Sequence, residues 1–238
     1  MKTYVMIPTY NERENIASLI REILALKITN IHIVVVDDNS PDGTSRIVKG
    51  LAKKRRNIHL LLRTTNRGRG AAGRDGFVYC LAQGADVIIE MDGDFSHHPQ
   101  YIPSMLKHIK THDLVLGSRL VDGGKDIGRG IVRQTITKLA NLYITLMLGI
   151  RVKDCNSGFR CFRSALLRNI NPSRLESKGP AIVQEVLFKA HLKGARIKEI
   201  PIKFVNRTKG QSKLSLGALG MGYYMVLKLK ILHLLGNI

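Results

Sequence analysis

Asp92 and Asp94 stand one residue apart, directly behind the apolar stretch Val87-Ile88-Ile89. Residues i and i+2 of an extended segment project to the same side, so these carboxylates converge on one hard cation bound through oxygen. Gly93 between them lets a ligand approach the backbone. Two more apolar runs end in polar residues. Tyr4-Val5-Met6-Ile7 leads into Pro8-Thr9-Tyr10-Asn11-Glu12, and Ile31-His32-Ile33-Val34-Val35-Val36 leads into Asp37-Asp38-Asn39-Ser40-Pro41-Asp42-Gly43-Thr44. Open α/β sheets bind ligands where such strands give way to helices, so the three strand ends imply one crevice. Asp38 is assigned to it, whereas Asp37 and Asp42 read as loop or helix-capping carboxylates.

The elements that must position these residues alternate. Strands are expected at 3–7, 31–36, 58–62, 86–91 and 114–117, and helices at 12–26, 44–55, 71–83 and 101–110. In the first helix Ile16, Leu19, Ile20, Ile23 and Leu24 follow helical spacing, and Asn11 with Glu14 forms a capping-box pattern. Strands alternating with helices indicate a mostly parallel sheet. The run Gly68-Arg69-Gly70-Ala71-Ala72-Gly73 has dinucleotide-binding spacing, but it follows the third strand after five intervening residues and lacks the expected acidic partner. It reads as glycines that let the helix start close to a bound nucleotide, with Arg69 near a phosphate as the lesser reading.

At 238 residues and 44% hydrophobic, the chain suffices for one α/β domain. Cys80, Cys155 and Cys161 are odd in number and lack paired spacing, which predicts free core thiols and a reducing compartment. The net charge of +20, from 38 Lys and Arg against 18 Asp and Glu, implies polyanionic company: nucleic acid, anionic lipid or phosphorylated substrates. Nucleic acid is disfavoured, because the chain has no Trp, only 5% aromatics, and neither an RNA-recognition signature nor zinc-finger spacing.

The three strand-end motifs, the last continuing as Phe95-Ser96-His97-His98-Pro99, resemble those of the family 2 glycosyltransferases, in particular the dolichol- and polyprenyl-phosphate mannose synthases. Gly117-Ser118-Arg119, Asp154-Cys155-Asn156-Ser157-Gly158-Phe159-Arg160 and Asn206-Arg207-Thr208-Lys209-Gly210-Gln211-Ser212-Lys213 match in the same order. The resemblance implies a single GT-A (Rossmann-like) α/β domain over 1–213, with a C-terminal amphipathic helix over 214–238 that meets a membrane interface or a partner. It implies inverting transfer of mannose from GDP-mannose to dolichyl or polyprenyl phosphate, with UDP-glucose or another nucleotide sugar as the alternative donor. A catalytically idle membrane adaptor of the same fold is the reading from another class, and it leaves the Asp pair and the arginines without purpose.

By that resemblance Asp92, Asp94 and Ser96 ligate Mg²⁺ or Mn²⁺. Pro8, Tyr10, Glu12, Val36, Asp38, Asp92, Gly93, Asp94, Arg119, Arg207 and Lys213 border the donor, and Arg119, Arg133 and Thr137 hold the acceptor phosphate. Asp94, Arg119 and Arg133 are the expected catalytic residues. His97 and His98 are assigned to loop packing, since an oxygen-bound cation does not call for imidazole. A phosphate monoester, with a second pKa of ~6, is already a dianion at neutral pH, so this acceptor calls for guanidinium forks rather than a catalytic base.

The N-terminus opens in a strand, which predicts no secretion signal, and no stretch reaches the ~18 to 20 apolar residues of a spanning helix. Many relatives continue into transmembrane helices where this chain ends. A peripheral protein on the cytoplasmic face of a membrane is expected, reaching its lipid through an anionic membrane surface or a small membrane-anchoring subunit. The segments 139–150 and 214–238 are the candidates for that contact, the first equally readable as a core helix.

Overall fold

The computed structural model describes residues 1–206 and 216–236. Its first nine elements alternate as expected: β1 (Thr3–Thr9), α1 (Ile16–Ala25), β2 (Ile31–Asp37), α2 (Thr44–Lys54), β3 (Ile58–Leu62), α3 (Arg69–Ala82), β4 (Val87–Glu90), α4 (Ile102–His108) and β5 (Leu114–Ser118). The chain continues through β6 (Lys125–Ile127), α5 (Ile131–Leu148), β7 (Arg160–Arg163), α6 (Ser164–Ile170), α7 (Ile182–Leu192), β8 (Ile197–Pro201), β9 (Lys203–Val205) and α8 (Leu216–Leu234).

Seven strands form one sheet in the order β3-β2-β1-β4-β7-β5-β8. β1 pairs in parallel with β2 on one side and with β4 on the other, so the chain reverses direction across the sheet at β1. Such a switch point opens a crevice at the carboxyl ends of the flanking strands, which is where Pro8 to Glu12 and the Asp pair emerge. β7 is the exception to the parallel order. It runs antiparallel between β4 and β5 and delivers the 154–160 loop beside the same crevice. β6 and β9 make a separate two-stranded parallel ladder.

Strand alternation sorts the core into two layers, as a period of two requires. Tyr4, Met6, Val34, Val36 and Ile88 face Phe77 and Cys80 of α3 and Val186 and Leu187 of α7. Val5, Ile7, Ile33, Val35 and Ile89 face Ile16, Leu19, Ile20 and Ile23 of α1 and Met105 of α4. All three cysteines are free and buried, and burial pushes the Cys155 thiol up to about 12. They are packing residues, as expected.

The capping box at Asn11 and Glu14 does not form. Helix α1 begins at Ile16, and the amides that would start an earlier helix are engaged by the β2 loop. Asn11 N donates to Ser40 Oγ at 2.9 Å, Glu12 N to Thr44 Oγ1 at 3.0 Å, and Arg13 N to Asp42 Oδ2 at 2.9 Å. Asn11 adopts φ 59°, a left-handed conformation that asparagine tolerates. Asp42 also caps α2 by accepting from Thr44 N at 2.9 Å, while Asp37 accepts from Ser40 N at 2.9 Å and Thr9 Oγ1 at 3.0 Å. The duller reading of these two carboxylates holds.

Helix α8 rests on α5 and α7 and buries Val226 and Leu229 in the layer that also holds Ile144 and Leu148 of α5. Among the described residues no helix is long and apolar enough to cross a membrane.

Candidate active site

The Asp pair lies just past β4, beyond Met91, whose N–H donates to Met6 O at 3.1 Å. Asp94 is buried, and its Oδ1 accepts from Ser96 N at 3.0 Å. This closes a tight turn in which Phe95 takes φ 63°. The spacer Gly93 also packs closely on β1: a Cβ there would lie 3.1 Å from Thr9 Cγ2 and 3.5 Å from Ile7 Cγ2. Across the crevice a Cβ at Gly158 would sit 3.3 Å from Asp92 Oδ2; glycine keeps that side of the carboxylate open.

The donor set suits a hard divalent cation: two carboxylates and the Ser96 hydroxyl, all oxygen. Among the described residues no cluster of three or more His, Cys, Asp and Glu could enclose an ion. His97 stacks on Phe159 at 5.3 Å and meets Phe204 edge-on at 5.5 Å, and burial lowers its pKa. His98 Nδ1 accepts from Gln100 N at 3.2 Å. Both imidazoles pack the loop, as expected.

The 154–160 loop organises the rest. Asp154, fully buried, accepts from Arg119 Nε at 2.8 Å, Nη2 at 2.7 Å and the Arg119 amide at 3.0 Å. This revises the sequence expectation for Arg119, which was assigned wholly to phosphates. Two of its guanidinium nitrogens, Nε and Nη2, are committed to Asp154. Arg119 also stands over the Phe204 ring at 5.0 Å, with Arg129 at 5.8 Å from the same ring. Asn156 Nδ2 donates to Asn141 Oδ1 of α5 at 3.2 Å, tying this loop to the helix that bears the acceptor residues. Arg160 is buried and donates to the carbonyls of Ser157, Cys155 and Val183; burial pushes its pKa down to about 10.

Arg133 is exposed on the first turn of α5. The Thr137 hydroxyl donates to Arg133 O at 2.9 Å and accepts from Arg129 Nη2 at 3.0 Å. Arg129, which the sequence reading passed over, is pinned by Asp126 Oδ2 at 3.1 Å. Burial, and then the charges of Arg119 and Arg133, lower its pKa against the pull of Asp126. Arg119, Arg129 and Arg133 thus form one cationic cluster, and Arg119 in turn feels the charge of Asp92. The missed signal was Gly128-Arg129-Gly130, a second Gly-basic-Gly run.

On the nucleotide side, Tyr10 is exposed at the crevice, Glu12 is half-buried and Pro8 is buried. Glu12 Oε2 accepts from Asn15 Nδ2 at 2.9 Å. Two expected donor residues already have partners within the protein. The Val36 side chain is fully buried in the core, 3.0 Å from where a Cβ on Gly76 would lie, so it faces α3 and only its backbone lies along the strand end. Asp38 pairs with Arg63 and accepts from Gly68 N at 2.7 Å, tying the end of β2 to the glycine run before α3. Arg207 and Lys213 lie outside the described residues.

A model of glycosyl transferase family 2 matches residues 4–170. The chain belongs to glycosyl transferase family 2. Family membership extends to close relatives. An undecaprenyl-phosphate mannosyltransferase of Micrococcus luteus is 40% identical over 220 residues, 92% of this chain and 90% of its own length. A polyprenol monophosphomannose synthase of Mycolicibacterium smegmatis is 37% identical, over 90% of this chain and 81% of its own. A dolichol-phosphate mannosyltransferase of Pyrococcus furiosus is 38% identical over 90% of this chain, which spans 59% of that longer protein. Among solved structures, glucosyl-3-phosphoglycerate synthase of Mycobacterium tuberculosis in complex with Mn²⁺, UDP and phosphoglyceric acid superposes with a TM-score of 0.68 at 20% identity, covering 98% of this chain and 78% of that one. The fold is the GT-A arrangement expected for the family.

Proposed function

We propose that this glycosyltransferase moves mannose from GDP-mannose to a polyprenyl phosphate with inversion at the anomeric carbon. The observation that carries the reading is that Arg119 and Arg129 stand over one ring, Phe204, which also meets His97, itself 3.5 Å from Asp92 Oδ2, while Arg129 reaches the α5 turn that bears Arg133. An anionic donor and an anionic acceptor meet there. The likeness to polyprenyl-phosphate mannosyltransferases over nine-tenths of the chain supports the same substrates.

When bound at Asp92, Asp94 and Ser96, Mg²⁺ or Mn²⁺ supplies Lewis-acid stabilisation of the leaving diphosphate. The protein groups do the rest. Arg133 and Arg119 orient the acceptor phosphate, Arg129, bonded to α5 through the Thr137 hydroxyl, adds its charge beside them, and Tyr10 and Glu12 border the nucleoside. The acceptor oxygen carries its negative charge on arrival, so no side chain has to remove a proton. As the acceptor oxygen bonds to the anomeric carbon, negative charge passes to the leaving diphosphate, and Arg119, aligned by Asp154, helps to offset it in the transition state.

The protein meets this lipid at the membrane surface. Ile131, Val132, Ile136, Leu139, Leu142 and Leu146 of α5 are exposed, and so are Tyr224, Leu227, Ile231 and Leu234 of α8. Each set recurs at three- or four-residue spacing, so each helix turns one apolar stripe outward. The two helices pack on each other, and two such stripes are more exposed apolar surface than scattered surface residues give. The excess of Lys and Arg over the whole chain favours an anionic bilayer as its occupant.

The test is a panel of GDP-mannose, UDP-glucose and other nucleotide sugars assayed with one polyprenyl phosphate and with the corresponding free polyprenol. GDP-mannose with the phosphate should dominate, and the rate should fall in acid as the acceptor protonates near its second pKa of ~6. Arg133→Ala should raise the acceptor KM and leave GDP affinity unchanged. Efficient transfer to the free alcohol, with the phosphate inert, refutes the acceptor assignment.

A further inference from the structure

The glycine run before α3 and the residue just ahead of the Asp pair remain unexplained by the reaction. Glu90 ends β4 and is buried at 2% exposure. A buried carboxylate is costly unless cations surround it, and Glu90 lies within the fields of Arg160 and Arg69. Arg69 opens α3. Its Nη2 lies 2.8 Å from Glu90 Oε1 and 3.6 Å from Asp92 Oδ1. Gly73 leaves room for this pair, since a Cβ there would lie 3.2 Å from Arg69 Nη1 and 3.6 Å from Glu90 Oε1. Gly70 seats the helix start against the 177–179 backbone, where a Cβ would lie 2.1 Å from Ser177 O.

We propose that Arg69, tethered by Glu90, is a positioning residue that orients the Asp92 carboxylate and sets how tightly the Asp pair holds its divalent cation. This rests on the metal reading above. Residues 90 and 92 share one side of the chain because they are two apart, so a single guanidinium spans both carboxylates. The shorter contact goes to Glu90. Glu90 therefore shares the Arg69 charge with Asp92, whose other oxygen, Oδ2, lies 3.5 Å from His97 Nδ1. The spacing that mimics a dinucleotide fingerprint thus serves an ion pair under the metal site.

The sign of this effect separates it from mere structural support. In Glu90→Gln the untethered Arg69 turns to Asp92 and competes with the cation. In Arg69→Met a positive charge near the cation is gone. Mn²⁺ binding, read by electron paramagnetic resonance of the free ion in the presence of GDP, should weaken on the order of tenfold in Glu90→Gln and tighten in Arg69→Met. Arg69→Lys should stay near the wild type, and the double variant Arg69→Met/Glu90→Met should return toward it because the charges are removed together. The double variant also keeps the test open if Glu90→Gln alone does not fold.

Single variants that both weaken Mn²⁺ binding in step with their loss of Tm, or that leave it unmoved while Asp94→Ala abolishes it, overturn this inference and leave the metal reading standing. A wild-type protein that binds no Mn²⁺ with GDP overturns both.

Discussion

Replacing Leu139, Leu142 and Leu146 together by glutamine removes the centre of the outward stripe of α5. The three side chains are 60%, 54% and 74% exposed, so about three-fifths of each would leave water on entering a bilayer. Full burial of a leucine is worth about 1.5–3 kcal/mol, which gives about 1–2 kcal/mol for each and about 3–6 kcal/mol for the set. That corresponds to a loss of about 10²- to 10⁴-fold in partitioning onto vesicles. Folding should hardly change, because exposed substitutions typically stay within about 0.5 kcal/mol each and glutamine is a good helix former. The assay is co-sedimentation with vesicles containing anionic lipid, with Tm measured in parallel. Turnover of a short, water-soluble acceptor should be preserved while turnover of a long-chain acceptor in vesicles falls. A variant that pellets with vesicles as well as the wild type refutes α5 as the membrane contact. If binding returns only when a second, membrane-embedded protein is supplied, the face belongs to a protein partner.

Asp154→Ala strands Arg119, whose side chain is 8% exposed. The cost should be about 3–5 kcal/mol, a fall in Tm of roughly 6–20 °C by calorimetry; an unchanged Tm would mean that Arg119 has another anchor. Asp94→Ala should cut transfer about 10²-fold or more with little change in Tm, since it removes a cation ligand at a crevice and leaves the core intact. Full activity in EDTA would contradict it. Burial opposes the charge of Glu185, but bonds from Ser177, the Glu176 amide and Lys189 outweigh it and hold its pKa below the ordinary value. A carboxylate depressed in this way adds stability above the unfolded carboxylate pKa of ~4.3 and loses it as pH falls through the lower folded value. Glu185→Gln should therefore flatten the acid limb of a Tm-against-pH profile, and an unaltered limb would exclude Glu185 as its source.

The alternating half of the molecule was legible in the residues themselves. The runs 31–36 and 58–62 became β2 and β3 nearly to the residue, because β-branched strands and the loops between them are specified by near neighbours. The Asp pair was legible for the same reason: two residues at i and i+2 need no distant partner to share a side. The start of α1 was not, since amides that a local pattern would give to a helix went to Ser40, Thr44 and Asp42 on the next strand's loop.

Charge partnerships were the least legible part. Arg119 was named for phosphates, yet Asp154 holds it from 35 positions away, and that pairing exists only because β7 inserts antiparallel between β4 and β5. Val36 looked like a site residue by position and proved to be core, since its side of β2 faces α3. The segment 139–150 read equally as core or interface from its composition. Only the packing of α8 against α5 decided which of its apolar residues would be buried and which stripe would face outward. Residue type fixes what a side chain can do and local spacing fixes which neighbours it shares, but long-range topology chooses the partner that neutralises a charge or leaves a leucine uncovered.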